Sequence, residues 1–292
     1  MKHRSKSSRL FDACNVAVMT LFALSTLIPF FYVIMGSFTT SAELLRKGFV
    51  LFPTEYSLEA YRYIFSTDSI TRAMGNSVFV TAIGTLCNLL FTSLMAYPLS
   101  QKRLMGRSTI MGLIVFSMLF SGGMIPTFLV VKQFGLINSY GALIIPSLIS
   151  AFNLILLKNF FQQIPEEVLE SARIDGCNDL RILFQITLPL ALPAIATFAL
   201  FYAVGHWNSY FQAVLYLNDS DKWPIQVLLR QIVILSEGTS FDSSSFGEQY
   251  IAPPSQTVKM AVIVVATMPI LLVYPFLQKH FAKGMLLGSV KG

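Results

Sequence analysis

Long apolar runs alternate with short polar ones along most of the chain. Six runs, at 13–36, 74–99, 109–131, 140–157, 190–217 and 258–277, are long enough to cross a bilayer, since a helical crossing takes about 20 mostly apolar residues. The pattern predicts an all-α integral membrane protein with six transmembrane helices. Several runs contain Pro or Gly, which membrane helices tolerate where neighbours satisfy the freed backbone groups. Spans two to four hold Asn76, Asn88 and Asn153 but no Asp or Glu. Carriers driven by protons or sodium usually keep an ionisable group at membrane depth, so this composition argues against secondary transport. The asparagines fit hydrogen bonds between helices, with a pore-lining role as the lesser reading.

The most charged interruption is 165–189. Pro165 suits a first helical turn, and Glu166 and Glu167 put negative charge at a helix N-terminus. Glu166, Glu170 and Arg173 share one polar face, with Val168, Leu169 and Ala172 on the other side. Gly176 is placed to end the helix in the left-handed conformation. Asn178 or Asp179 then caps a second helix, with Leu180, Leu183, Phe184 and Leu188 at helical spacing. Pro189 opens the next apolar run. Such an insert fits either an interfacial amphipathic pair or a docking element for a soluble partner, and amphipathicity alone does not separate the two.

The remaining loops carry weaker signals. In 37–73, Ser57 is placed to cap a helix with Leu58, Tyr61, Ile64 and Phe65 on one face. That helix reads as lying on the membrane surface, its tyrosines at headgroup level. Residues 218–257 are polar and Ser-rich apart from a short apolar run at 225–235, and loops of that length tend to be functional or disordered. Span five ends in His206, Trp207, Asn208 and Tyr210. A lone histidine there reads as packed or interfacial, and the aromatics suit a headgroup belt. After the last span, Lys279, His280 and Lys283 suit a helix C-terminus, and Gly284 and Gly288 are expected to break the helix.

Composition sharpens the class. The chain is 54% hydrophobic and 12% charged, with mean hydropathy +0.63, against about 25% charged in soluble domains. Its net charge of +6 fits loop charges on a membrane protein; no basic run with interleaved aromatics points to nucleic acid. With the N-terminus inside, Lys2, Arg4, Lys6, Arg9, Lys102, Arg103, Arg107, Lys158, Arg173, Arg181, Lys279, Lys283 and Lys291 fall inside. The outer side takes Arg46, Lys47, Arg62, Arg72, Lys132, Lys222, Arg230 and Lys259, mostly in two long loops where the rule counts for less. The bias predicts a cytoplasmic tail at 1–12, a six-span membrane body at 13–278 with the 165–189 insert inside, and a cytoplasmic tail at 279–292. The first run is too long for a signal-peptide core and is expected to stay as span one. Cys14, Cys87 and Cys177 form no CxxC pair, which predicts neither a disulfide nor a metal site. There is no G-x-x-x-x-G-K-[ST], H-E-x-x-H or G-x-S-x-G sequence, so the chain is expected to bind no ATP and to catalyse nothing.

Glu170-Ser171-Ala172 is followed after three residues by Gly176, and after nine more by Ile186-Thr187-Leu188-Pro189. This resembles the EAA loop of ABC importer permeases, whose pattern is Glu-Ala-Ala, three residues, Gly, nine residues, Ile-x-Leu-Pro; Ser171 replaces the first Ala. Ile174-Asp175-Gly176, the preceding Pro165-Glu-Glu-Val and the C-terminal run look like the carbohydrate-uptake, maltose-importer-like branch. The tail and the long outer loop also resemble permeases for alginate oligosaccharides. The resemblance implies the type I ABC importer permease fold with a cytoplasmic coupling helix. It implies an ATPase-coupling site at Glu167, Glu170, Ala172, Arg173, Asp175, Gly176, Ile186, Leu188 and Pro189. Trp207, Asn208, Tyr210 and Asn153 become candidates for the pathway or its outer gate. The implied partners are a second homologous permease subunit, two ATPase subunits carrying ATP and magnesium, an extracytoplasmic solute-binding protein, a carbohydrate and the bilayer. No cofactor on this chain and no nucleic acid are implied. A permease for peptides or amino acids would share the loop, and a six-span secondary carrier or a non-transport scaffold would share the spans.

Overall fold

The computed structural model describes residues 6–236 and 255–289, with side chains described for 11–234 and 255–275. The side chains of the basic N-terminal tail, the Ser-rich part of the second outer loop, and Lys279, His280, Lys283 and Lys291 lie outside the described residues. The described chain is helical, apart from one isolated bridge between Thr39 and Tyr56. Its helices are α1 (Lys6–Ser37), α2 (Ser41–Lys47), α3 (Glu59–Ser66), α4 (Asp68–Ser100), α5 (Arg107–Leu119), α6 (Met124–Gln133), α7 (Gly141–Ile144) and α8 (Ala151–Phe161). They continue as α9 (Glu166–Ile174), α10 (Asp179–Ile182), α11 (Leu188–Leu190), α12 (Leu192–Trp207), α13 (Phe211–Tyr216), α14 (Ile225–Ser236) and α15 (Gln256–Ser289).

Three helices cross straight: Phe11–Ser37, Asp68–Ser100 and Gln256–Pro275. The other three predicted spans are bent pairs. Arg107–Leu119 meets Met124–Gln133 at 115°, Gly141–Ser147 meets Ala151–Phe161 at 54°, and Asp179–Leu190 meets Leu192–Trp207 at 87°. The long arm of the fifth, Leu192–Trp207, begins close to the predicted Leu190 and stops short of the predicted Leu217, and Asp179–Leu190 precedes it as a bent arm within the 165–189 insert. Pro193 has no N–H to continue the helix and restricts Leu192 before it, which accounts for the bend at Ala191. At the far end, the Asn208 side chain bonds back to the Val204 carbonyl at 2.9 Å, closing α12 before α13 starts. Gly284 and Gly288 do not break the last helix, which runs to Ser289. A glycine inside a helix weakens it by about 1 kcal/mol without forbidding it.

The chain divides into two compact units. The first holds Met1–Asp68 and Leu229–Thr267. Its α1 is apolar almost all round, with none of its best apolar window buried, as expected of a helix solvated by lipid. A Cβ at Gly36 would meet the Met260 thioether, so glycine leaves room on α1 for that side chain of α15. Thr40 caps α2 by accepting from the Glu43 N–H. Buried Glu43 accepts from Lys47 Nζ at 2.7 Å, from the Thr54 hydroxyl at 2.6 Å and from the Thr54 and Glu55 amides. These donors, the Lys47 bond foremost, hold its carboxyl at about 2. In α3 the buried face is Ala60 and Ile64, while Leu58 and Phe65 are exposed. The predicted four-residue stripe was too wide, because Leu58 sits before the helix starts and Phe65 follows Ile64 round the outside. Ser57 accepts from the Glu59 N–H at 3.2 Å as a turn just before the helix.

The second unit holds Ser69–Leu228 and Met268–Gly292. It contains two apolar clusters with a polar layer between them along α4. One packs Ala96, Tyr97 and Leu99 with Leu154, Leu157, Phe161, Leu169, Ile182, Leu183 and Phe198. The other packs Val80 with Val131, Leu143, Ala213, Tyr216 and Val227. In the layer between, Asn88 donates to the Ser147 and Leu148 carbonyls at 2.5 and 2.9 Å, and His206 Nε2 lies 2.6 Å from Asn88 Oδ1. Tyr202 accepts from the Ser150 N–H at 3.3 Å and pairs with Thr92 at 2.8 Å. The break in span four is thereby satisfied from two other helices, as apolar surroundings demand. A Cβ at Gly84 would meet the His206 ring at 2.5 Å, so that glycine makes room for the histidine.

Candidate functional site: the loop between spans four and five

The 165–189 insert is built from its own sequence outward. Pro165 precedes α9 with φ −54° and ψ 133°, and Glu166 and Glu167 open the helix. Leu169 and Ala172 bury the inner face against the apolar cluster. The helix ends in a double closure: the Gly176 N–H reaches the Arg173 carbonyl and the Cys177 N–H reaches the Ala172 carbonyl, both at 3.0 Å. That pairing is the Schellman pattern, which requires a left-handed residue, and Gly176 has φ +85°. Asn178, not Asp179, caps the next helix, accepting from the Arg181 N–H at 2.8 Å.

Asp179 serves as a hub instead. Arg103 Nη2 approaches its two oxygens at 2.9 and 3.2 Å, Tyr97 donates to it at 3.3 Å, and Arg173 lies 3.8 Å away. Arg173 also donates to Gln101 Oε1 at 2.9 Å, and Lys102 pairs with Glu166 at 3.0 Å. The insert is thus fastened to the 101–106 turn that links α4 to α5.

This fastening redistributes the predicted faces. Arg173 turns inward, so it does not share an outward face with Glu170. Glu167, Glu170, Ser171 and Ile174 face out, with Ile174 86% exposed. Asp175 is exposed at the helix end and Ala172 is buried within the chain. A Cβ at Gly176 would meet nothing within 4 Å; its backbone angle, not crowding within the chain, calls for glycine. After α10, Leu183–Thr187 forms a π-helical turn. The wider turn moves the buried face onto Ile182, Leu183 and Thr187 and leaves Leu180 and Phe184 exposed. Ile186 and Leu188 pack against the cluster from its edge, and Pro189 stays exposed in a shallow groove beside Val168 and Ala172. In the sequence Ile174 stood out only as part of Ile174-Asp175-Gly176 and not as an exposed face residue, although Glu167, Ser171 and Ile174 recur at i, i+4 and i+7.

Of the pathway candidates, Trp207, Asn208 and Tyr210 sit where α12 gives way to α13, and Asn153 sits on α8. Trp207 is 4% exposed and so is packed inside, not in a headgroup belt. Asn208 is exposed, Tyr210 half-buried and Asn153 buried on α8.

This architecture has matches among known proteins. Residues 1–287 match the model for binding-protein-dependent transport system inner membrane components. The chain belongs to that family. It is a transport permease that crosses the inner membrane several times. The permease is 63% identical to the polygalacturonan/rhamnogalacturonan transport system permease protein YtcP of Bacillus subtilis (strain 168), over 98% of this chain and 99% of that protein. It is 55% identical to protein LplC of the same organism, over 99% of this chain and 98% of that one. A chain in the crystal structure of a bacterial ABC transporter involved in import of the acidic polysaccharide alginate superposes with TM-score 0.87. It is 33% identical, over 96% of this chain and 100% of that one.

Proposed function

We propose that this permease is one of two membrane-spanning subunits of an ATP-driven importer for oligosaccharides rich in uronic acids. What supports the substrate class is chemistry common to two relatives: polygalacturonan and alginate are both polyuronates. A solute-binding protein delivers the sugar at the outer face. Two ATPase subunits, which hold the ATP and magnesium, act at the inner face. This chain needs no cofactor of its own. Both termini and the 165–189 insert face the cytoplasm.

The observation that carries the mechanism is the fastening of α9. Its inner face is packed and its end is closed, so the exposed Glu167, Glu170, Ser171 and Ile174 move only with the bundle. Ile174 enters an apolar recess on the ATPase, and Glu167 and Glu170 meet basic or amide groups around it. Gly176, Ile186, Leu188 and Pro189 pass the ATPase stroke to span five. The bundle then rocks as a rigid body between inward and outward access.

The test is uptake and ATPase activity of the assembled importer carrying Gly176→Asp. A residue with a Cβ in the left-handed region costs about 1–2 kcal/mol, enough to deform the closure without blocking membrane insertion. The expected result is normal membrane insertion with sugar-stimulated hydrolysis uncoupled from uptake. Wild-type coupling in that variant contradicts the assignment. The substrate class is tested separately by uptake of labelled tetragalacturonate against a neutral trisaccharide.

A further inference from the structure

The break in span three stands apart from the other two. Arg107 begins α5, and its 13 residues rise about 20 Å into a hydrocarbon layer about 30 Å thick. The helix therefore stops inside the apolar depth, and α6 leaves at 115° instead of continuing across. Between them run Phe120, Ser121, Gly122 and Gly123. Among the described residues, no backbone hydrogen bond engages Ser121 or Gly122. The Ser121 hydroxyl accepts from the Gly123 N–H at 3.3 Å, and no described side chain covers the segment: Leu119, Phe120, Met124 and Ile125 are all more than half exposed. Phe116 and Phe120 stack on each other, centroids 4.6 Å apart and planes 25° from parallel, with both rings more than half exposed.

Irregular backbone at membrane depth is tolerated only where protein buries it or where it lines a water-filled cavity. The described residues of the chain do not bury this one. We propose that 120–123 lines the aqueous solute pathway, and that Phe116 and Phe120 with the free amides of Ser121 and Gly122 form a sugar subsite. The open ring face receives the apolar C–H face of a pyranose. The free N–H and C=O groups bond its hydroxyls, which water would otherwise occupy. The inference rests on the importer reading and adds a subsite to it. It also explains the Gly122-Gly123 pair, which keeps side chains out of the path.

The test uses the assembled importer in membrane vesicles with Cys14, Cys87 and Cys177 replaced by alanine. Ser121→Cys is compared with Leu113→Cys, which is exposed on the same helix before the break. A cationic, membrane-impermeant thiol reagent attacks only a thiolate in water, so Ser121→Cys should label at least about tenfold faster. A rate no higher than that of Leu113→Cys, with and without ATP, overturns the proposal and hands the break to lipid or to the second subunit. Phe120→Ala should then raise the KM for tetragalacturonate uptake by roughly three- to tenfold, and Phe120→Trp should restore it. An unchanged KM in Phe120→Ala overturns the subsite. Wild-type importer that does not take up tetragalacturonate overturns the uronate reading instead, while the labelling rates still decide whether 120–123 lines the pathway.

Discussion

At Gly176 and at Ser147 a helix stops, and each stop leaves carbonyls and amides that need partners. The loop between spans four and five closes its own ends. Gly176 and Cys177 turn back onto Arg173 and Ala172, and Asn178 caps the helix that follows. The break in span four is closed locally only in part: the Ser150 hydroxyl caps α8 by accepting from the Asn153 N–H at 3.4 Å, and the Ser147 hydroxyl turns back to the Leu143 and Ile144 carbonyls. Its carbonyls take their donor from Asn88, 59 and 60 residues away, and the Ser150 amide reaches Tyr202, 52 residues away. Local closure makes a self-contained element that presents one face to a partner. Remote closure ties three spans together at the level where lipid offers no hydrogen bonds. The first arrangement suits a handle; the second suits the body that the handle moves.

Substitutions can break this contrast. The largest effect belongs to Asn88→Leu, which strips the donor from two carbonyls and the partner from His206. Leaving those groups buried and unpaired should destabilise the permease by about 3 kcal/mol, read as a lowered unfolding midpoint of the assembled importer in detergent. Asn178→Ala should cost about 1 kcal/mol through loss of a cap and leave the spans intact. Lys102→Ala removes an ion pair whose partners are 79% and 57% exposed, and should change stability by no more than about 0.5 kcal/mol. If Asn88→Leu costs no more than Asn178→Ala, the remote closure carries no weight and the contrast fails.

The same distinction decides what could be read from the chain alone. The straight spans were legible, because twenty apolar positions outweigh local detail, but their helices run past the apolar runs: 74–99 was expected and the helix is Asp68–Ser100, and 258–277 was expected and the helix is Gln256–Ser289. The glycine stop was legible because the bonds around Gly176 and Asn178 join neighbours three to five residues apart. The bends were not. Pro193 is plain in the sequence, but membrane helices accept proline, so its presence does not say whether a helix bends by 87° or passes straight. His206 showed only as a lone histidine; its partner Asn88 and the space left by Gly84 come from another span. The outward turn of Ile174 was hidden for a related reason. Arg173 bonds to Gln101 and Asp179, and contacts with another loop set which way the helix faces.

The central claim is that the exposed face of α9 is where the motor pushes. It is tested most directly by placing a cysteine at Ile174 in the assembled importer, with the native cysteines removed, and oxidising it against cysteines introduced along the recess of the ATPase. The account predicts a disulfide to the ATPase that forms rapidly and blocks uptake until it is reduced. A thiol at position 174 that never crosslinks there, and that reacts with an impermeant reagent from outside the cell, would contradict it.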